Sequence, residues 1–196
     1  MRRWTATGKA VRAARTAGAT AQEALAMRSI GVLHRAVGEY DRAIAVCGQA
    51  HELFVATGDR LMLAYSAQAI AKTLVRLGRH DEAASLLGPC LDTCAEAGDR
   101  FGGALVTRTI GELQLARGDI DDAVRSLDEV VRRWDELDLP LWRARTQRDL
   151  AAALRACGDG KAATLMGAAA LRVFRRYGSR EAGETALSVP SRTFRG

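Results

Sequence analysis

Gly38-Glu-Tyr-Asp-Arg-Ala43, Gly78-Arg-His-Asp-Glu-Ala83, Gly118-Asp-Ile-Asp-Asp-Ala123 and Gly158-Asp-Gly-Lys-Ala-Ala163 stand forty residues apart. Midway between them fall Gly18, Gly58, Gly98 and Gly178, with Asp138 in the one slot that lacks a glycine. A turn every twenty residues leaves about 17 residues for a helix, roughly 25 Å at 1.5 Å per residue. Glycine past the end of a helix takes the left-handed conformation without a Cβ penalty. The acid that often follows it is placed to cap the next helix and complement its dipole. The spacing predicts an all-α chain, an α-solenoid of stacked antiparallel helix hairpins.

A second set of positions shares the period. Gly31, Ala71, Gly111 and Ala151 are all small, as are Ala43, Ala83, Ala123 and Ala163. Ile30, Ile70, Ile110 and Leu150 are large aliphatics, and Ala50, Cys90, Val130 and Ala170 are compact. Small residues at fixed points let neighbouring helices approach closely. The expected organisation is a second helix of a partial unit over 1–19, four units at 20–58, 59–98, 99–138 and 139–178, and a partial helix and tail over 179–196. Neither end reads as a polar cap, so the chain is expected to be part of a longer array or to self-associate through its ends. Pro89 inside a helical pattern predicts a kink around 85–88, whereas Pro140 falls in a first turn and is harmless.

Composition narrows the chemistry. The net charge of +6 sits at the ends. Residues 1–20 carry Arg2, Arg3, Lys9, Arg12 and Arg15 with no acid, and residues 171–196 carry six Arg against Glu181 and Glu184. No run reaches the ~20 apolar residues of a membrane span, and no apolar stretch follows the basic N-terminus as in a signal peptide. The chain therefore reads as cytoplasmic, with no membrane partner. Cys47, Cys90, Cys94 and Cys157 have no CxxC spacing and read as small buried thiols. Gly158-Asp-Gly-Lys161 is no phosphate loop, because Arg155 and Ala162 replace the required Gly and Ser/Thr. His34, His51 and His80 are scattered, and Asp121-Asp122 and Asp128-Glu129 read as solvated faces. No nucleophile motif or metal set is present. An enzyme is not expected, nor a cofactor or metal.

The small-residue register resembles the tetratricopeptide repeat. With unit position 1 at Ala24, the family's small positions 8, 20 and 27 become Gly31, Ala43 and Ala50, and the later units follow. The family's aromatic positions 4 and 24 are not matched: Met27, Ala67, Thr107 and Gln147 stand at the first, and Cys47, Leu87, Leu127 and Gly167 at the second. The resemblance covers residues 20–178. It implies a concave face lined by the first helix of each unit, through positions 2, 5, 9, 12 and 13. On this chain those positions supply Arg28, Arg35, Tyr65, Gln68, Lys72, Arg76, Arg108, Glu112, Arg145, Arg148 and Arg155. Arginine forks suit carboxylates and phosphates, so the implied role is a non-catalytic scaffold whose basic groove binds an acidic peptide or helix. A second reading of the same arginines is that they pair with acids on neighbouring helices and hold the stacking angle. The forty-residue units, with Ile30-Gly-Val-Leu-His34 and Ile110-Gly-Glu-Leu113, are similar to the C-terminal sensor arrays of actinobacterial transcriptional activators. That likeness implies a detached regulatory array. The alternative is nucleic-acid binding through the basic termini, which would be steeply salt-dependent.

Overall fold

A computed structural model describes Lys9 and residues 20–188, without the side chains of Glu184 and residues 186–188. The expected helix over 1–19 and the stop at Pro190 lie outside the described residues. Within them the chain is helical, with helices α1 (Thr20–Ala36), α2 (Tyr40–Thr57), α3 (Arg60–Arg76), α4 (His80–Glu96), α5 (Arg100–Arg117), α6 (Ile120–Glu136), α7 (Pro140–Ala156), α8 (Gly160–Arg176) and α9 (Glu181–Ser188). Each of the first eight begins twenty residues after the one before it.

The turns work as the glycines require. Gly38, Gly58, Gly78, Gly98, Gly118, Gly158 and Gly178 all have φ between 59° and 90°. Asp138 is the one non-glycine at positive φ among the described residues, at 51°. The chain then closes onto the helix just ended: Asp99 N–H donates to the Cys94 carbonyl and Leu139 N–H to that of Trp134. Capping by the next residue is selective. Asp59, Asp99 and Asp159 accept from the backbone N–H groups of Met62, Gly102 and Ala162. Glu39 caps nothing, because His34 and Arg42 hold its carboxylate. Asp119 makes no side-chain cap either. Pro140 opens α7 in its first turn, and α4 remains helical through Pro89.

The chain divides into two compact units, Met1–Thr109 and Ile110–Gly196, the division falling inside α5. In the first, α1 packs on α2, α2 on α3, α3 on α4, and α1 also on α3. In the second, α6 packs on α7, α7 on α8 and α8 on α9. Each is a stack of antiparallel hairpins. The small-residue register marks the points of closest approach: Ala43, Ala83, Ala123 and Ala163 are buried, as are Ala50, Cys90, Val130 and Ala170. A Cβ on Gly31 would collide with Cys47 Sγ, and one on Gly111 would come within 2.7 Å of Leu127. Apolar burial supplies the cohesion. One core joins Ala24, Met27, Ala50 and Phe54 with Met62 and Leu63. Another joins Ala123, Leu127, Leu150 and Ala153 with Leu115 and Met166.

Three cysteines are buried as the helical pattern suggests, but Cys157 is exposed. It follows the last helical residue of α7, in the turn, where no neighbouring helix covers it. Among the described residues no helix is long and apolar enough to cross a membrane, and no group of three His, Cys, Asp or Glu could hold a metal ion.

Candidate partner-binding face

The first helices of the hairpins, α1, α3, α5 and α7, carry all eleven residues expected to line the concave face. In the first unit the half-buried members are tied to one another across successive first helices. Arg28 Nε donates to the Tyr65 carbonyl at 3.2 Å, and its guanidinium lies over the Tyr65 ring, 5.2 Å from the centroid. The Tyr65 hydroxyl donates to Asp99 Oδ2 at 2.7 Å, while the other oxygen of that carboxylate caps α5. Burial and the bond to Asp99 push the Tyr65 phenol well above its ordinary range. Burial likewise lowers the Arg28 guanidinium. Arg35 reaches the Ala69 carbonyl at 3.5 Å. Gln68, only 3% exposed, donates to the Thr109 hydroxyl at 2.8 Å.

Lys72 and Arg108 are also buried, at 9% and 4% exposure, and neither is without a partner. A buried cation needs compensation, since desolvation disfavours its charge. Both are therefore held as parts of the packed stack. Arg76 is exposed, in the last turn of α3.

In the second unit, Glu112 is buried and engaged. Arg145 Nε donates to Glu181 Oε1 at 2.7 Å, and its guanidinium sits 5.0 Å from the Trp142 ring centroid. Burial raises the Glu181 carboxyl, but hydrogen bonds from Ser179 and Arg145 outweigh it and hold the group below the usual carboxylate range. Trp142 in turn packs against Trp134, ring centroids 5.6 Å apart. The Trp134 indole donates to the Thr146 hydroxyl at 3.0 Å. Arg148 contacts its neighbour Asp149 at 3.4 Å and is half-buried. Arg155 is exposed, in the last turn of α7.

Two kinds stand out among the eleven residues. Arg28, Tyr65, Gln68 and Arg145 link one first helix to the next. Arg76 and Arg155 present charge to solvent. Register alone missed Arg117, in the last turn of α5 directly before Gly118. With Arg35, Arg76 and Arg155 it gives α1, α3, α5 and α7 each an arginine in the last turn. A cation there complements the negative end of the helix dipole.

The tetratricopeptide-repeat family model matches residues 22–96. Among solved structures, the chain is similar to a Rap protein complexed with competence and sporulation factor: TM-score 0.78 at 13% identity, covering 87% of this chain and 47% of that one. It is similar to BtubC from P. vanneervenii, with TM-score 0.64, 18% identity and coverage of 81% and 66%. A third similar structure is a putative kinesin light chain of Podosopora anserina with nearly identical TPR-like repeats. Its TM-score is 0.58 at 15% identity, covering 90% and 96%. The chain therefore spans about half the length of the Rap protein and 66% of BtubC. At these identities the likeness concerns the fold. No curated protein sequence matches.

Proposed function

We propose that this chain, a tetratricopeptide-repeat solenoid, is a non-catalytic scaffold that binds an acidic peptide or helix through the basic face of its first helices. The observation that carries the reading is the arginine in the last turn of each first helix, Arg35, Arg76, Arg117 and Arg155. Arginine is the side chain suited to bidentate capture of carboxylates. Arg76 and Arg155 are exposed and reachable. The Arg28–Tyr65–Asp99 and Arg145–Glu181 linkages support the role by fixing the helices that present these forks. A preorganised surface loses less entropy on binding. That a fold neighbour is complexed with competence and sporulation factor fits a binding role. The repeated Gly-x-x-Asp-x-Ala turns, together with the Ile-Gly segments, resemble the sensor arrays of bacterial transcriptional regulators and support a regulatory role of that kind. In that setting the bound segment would report a signal.

The test is a panel of acidic, neutral and basic helical peptides, titrated against the wild type and against Arg76→Glu and Arg155→Glu by fluorescence anisotropy. Selective binding of the acidic set, weakened at least roughly tenfold by either reversal, is the expected result. Equal binding of all three sets, or acidic binding untouched by both reversals, overturns the reading. A salt-sensitive shift with generic duplex DNA and no peptide binding would favour the nucleic-acid alternative.

A further inference from the structure

The second helices of the hairpins, α2, α4, α6 and α8, each carry exposed residues whose charge changes sign along the chain. Three outward positions recur with the period of forty. The first holds Asp41, Asp81, Asp121 and Lys161. The second holds Glu52, Asp92, Arg132 and Arg172, and the third Ala56, Glu96, Glu136 and Arg176. All twelve residues are exposed. α4 contains Asp81, Glu82, Asp92 and Glu96 with no Lys or Arg, and α8 contains Lys161, Arg172, Arg175 and Arg176 with no acid. Between them in sequence, α6 is mixed: Arg125, Arg132 and Arg133 are interleaved with six acids and are paired with Asp122, Asp128 and Glu129, so its outward face is not of one sign.

The two oppositely charged helices have matching faces. On α4 the stripe reads Asp81, Ser85, Gly88, Asp92, Glu96, and on α8 Lys161, Leu165, Ala168, Arg172, Arg176. At ~100° per residue these offsets stay within about 80° of one another. Each stripe therefore occupies one side of its helix. The second residue of the α8 stripe is Leu165, at 68% the most exposed large hydrophobic residue described. The middle of the α4 stripe holds Gly88, over which a Cβ would meet open space.

We propose that the α8 face of one molecule docks on the α4 face of a second copy of this chain. Laid side by side in the same direction, the stripes bring Lys161 to Asp81, Arg172 to Asp92 and Arg176 to Glu96. Leu165 then meets Ser85 beside the bare backbone of Gly88. The opposite direction sets Asp92 against Leu165 and loses the central charge pair. Glu96 is bridged to Arg60 at 2.8 Å, but both partners are mostly exposed, at 62% and 77%. Such a pair is screened and exchanges readily. Because the two faces differ, the contact is heterologous, and each molecule keeps one face open for a further copy. The assembly grows with concentration and weakens with salt. The surface is separate from the first-helix face and does not rest on its proposed role.

Charge reversal provides the test, on the full chain. Asp92→Arg/Glu96→Arg makes both faces basic, and Arg172→Glu/Arg176→Glu makes both acidic. All four positions are exposed, and circular dichroism verifies that each variant is folded. Sedimentation velocity should show the wild type gaining mass with concentration at low salt and losing it at high salt. Each variant alone should associate at least roughly tenfold more weakly. Their equimolar mixture should regain the association, since each basic face then meets an acidic one. A wild type that stays monomeric at every concentration in low salt overturns the proposal. So does a mixture no more associated than its components.

Discussion

One repeat position is used in opposite ways by the Trp134 pair of the second compact unit and the Cys94 pair of the first. Near the end of each second helix stands a fully buried residue facing the start of the next first helix. In the first unit these pairs are Phe54 with Met62, and Cys94 with Gly102. In the second they are Trp134 with Trp142, and Phe174 with Ala182. Phe54, Cys94, Trp134 and Phe174 are 1%, 2%, 0% and 0% exposed. The contact can therefore be built from two large rings or from a thiol and no side chain at all. The large pair fills its space with rings. The small pair closes by bringing backbone close, so that a Cβ on Gly102 would come within 2.8 Å of Cys94 Sγ. Closeness also gives the site a polar use, for Asp99 beside it receives the Tyr65 hydroxyl. The repeat fixes where helices meet, and side-chain volume decides what the meeting supports.

The strongest way to break this comparison is to empty the large pair. Trp134→Ala removes a wholly buried ring and its hydrogen bond to Thr146. A loss of about 3–5 kcal/mol is expected, as for other buried aromatic truncations. Cys94→Ala removes one sulfur from the equivalent slot and should cost about 1 kcal/mol, on the scale of a single buried group. Urea denaturation followed by circular dichroism measures both. Equal costs for the two variants would show that ring volume is not what holds the second unit.

The next test uses adjacent glycines in α5. Gly102→Ala drives a methyl into Cys94 and Asp99 and should destabilise by about 1–3 kcal/mol, the range for overpacking. Gly103 has open space where its Cβ would be. Gly103→Ala should stabilise by about 0.5–1 kcal/mol through helix propensity and a less flexible unfolded chain. Thermal melts of the two variants should shift in opposite directions. A shared sign would mean that the close approach at Gly102 is not a tight one.

These contrasts also mark what the sequence could reveal. The turns were legible because only glycine, or rarely an aspartate, suits their backbone, so composition and geometry coincide. The alanine and glycine contacts were legible for the same reason. The Phe54, Cys94, Trp134 and Phe174 slot recurs with the same period, yet a search for one residue type passes over it. The face implied by the family register was legible as a set of helix positions. Depth was not, since register says which side of a helix a residue takes and not how close the neighbouring helix lies. Gln68, Lys72, Arg108 and Glu112 are consequently buried where a lining would be expected to meet solvent. Arg117 was overlooked because it lies one place beyond the family positions.

The smallest effect concerns the turn that departs from the glycine rule. Asp138 follows α6 at φ 51° and makes the same closing bonds as its glycine counterparts, with its N–H donating to the Asp135 carbonyl. Gly98, forty residues earlier, has φ 64° and donates likewise to Ala95. An L-residue in this region carries a Cβ–carbonyl clash, though aspartate tolerates it better than most. Its carboxylate also stands at the negative end of the α6 dipole. Asp138→Gly removes both penalties but adds freedom to the unfolded chain. The balance should favour the variant by about 0.5–1 kcal/mol, since helices so often end in left-handed glycine. The reciprocal Gly98→Asp should cost a similar amount in the first unit. A matched pair of melts with opposite shifts would show that the two turns are interchangeable. No gain for Asp138→Gly would mean that the aspartate side chain itself supports the second unit, a difference between the units that backbone geometry does not contain.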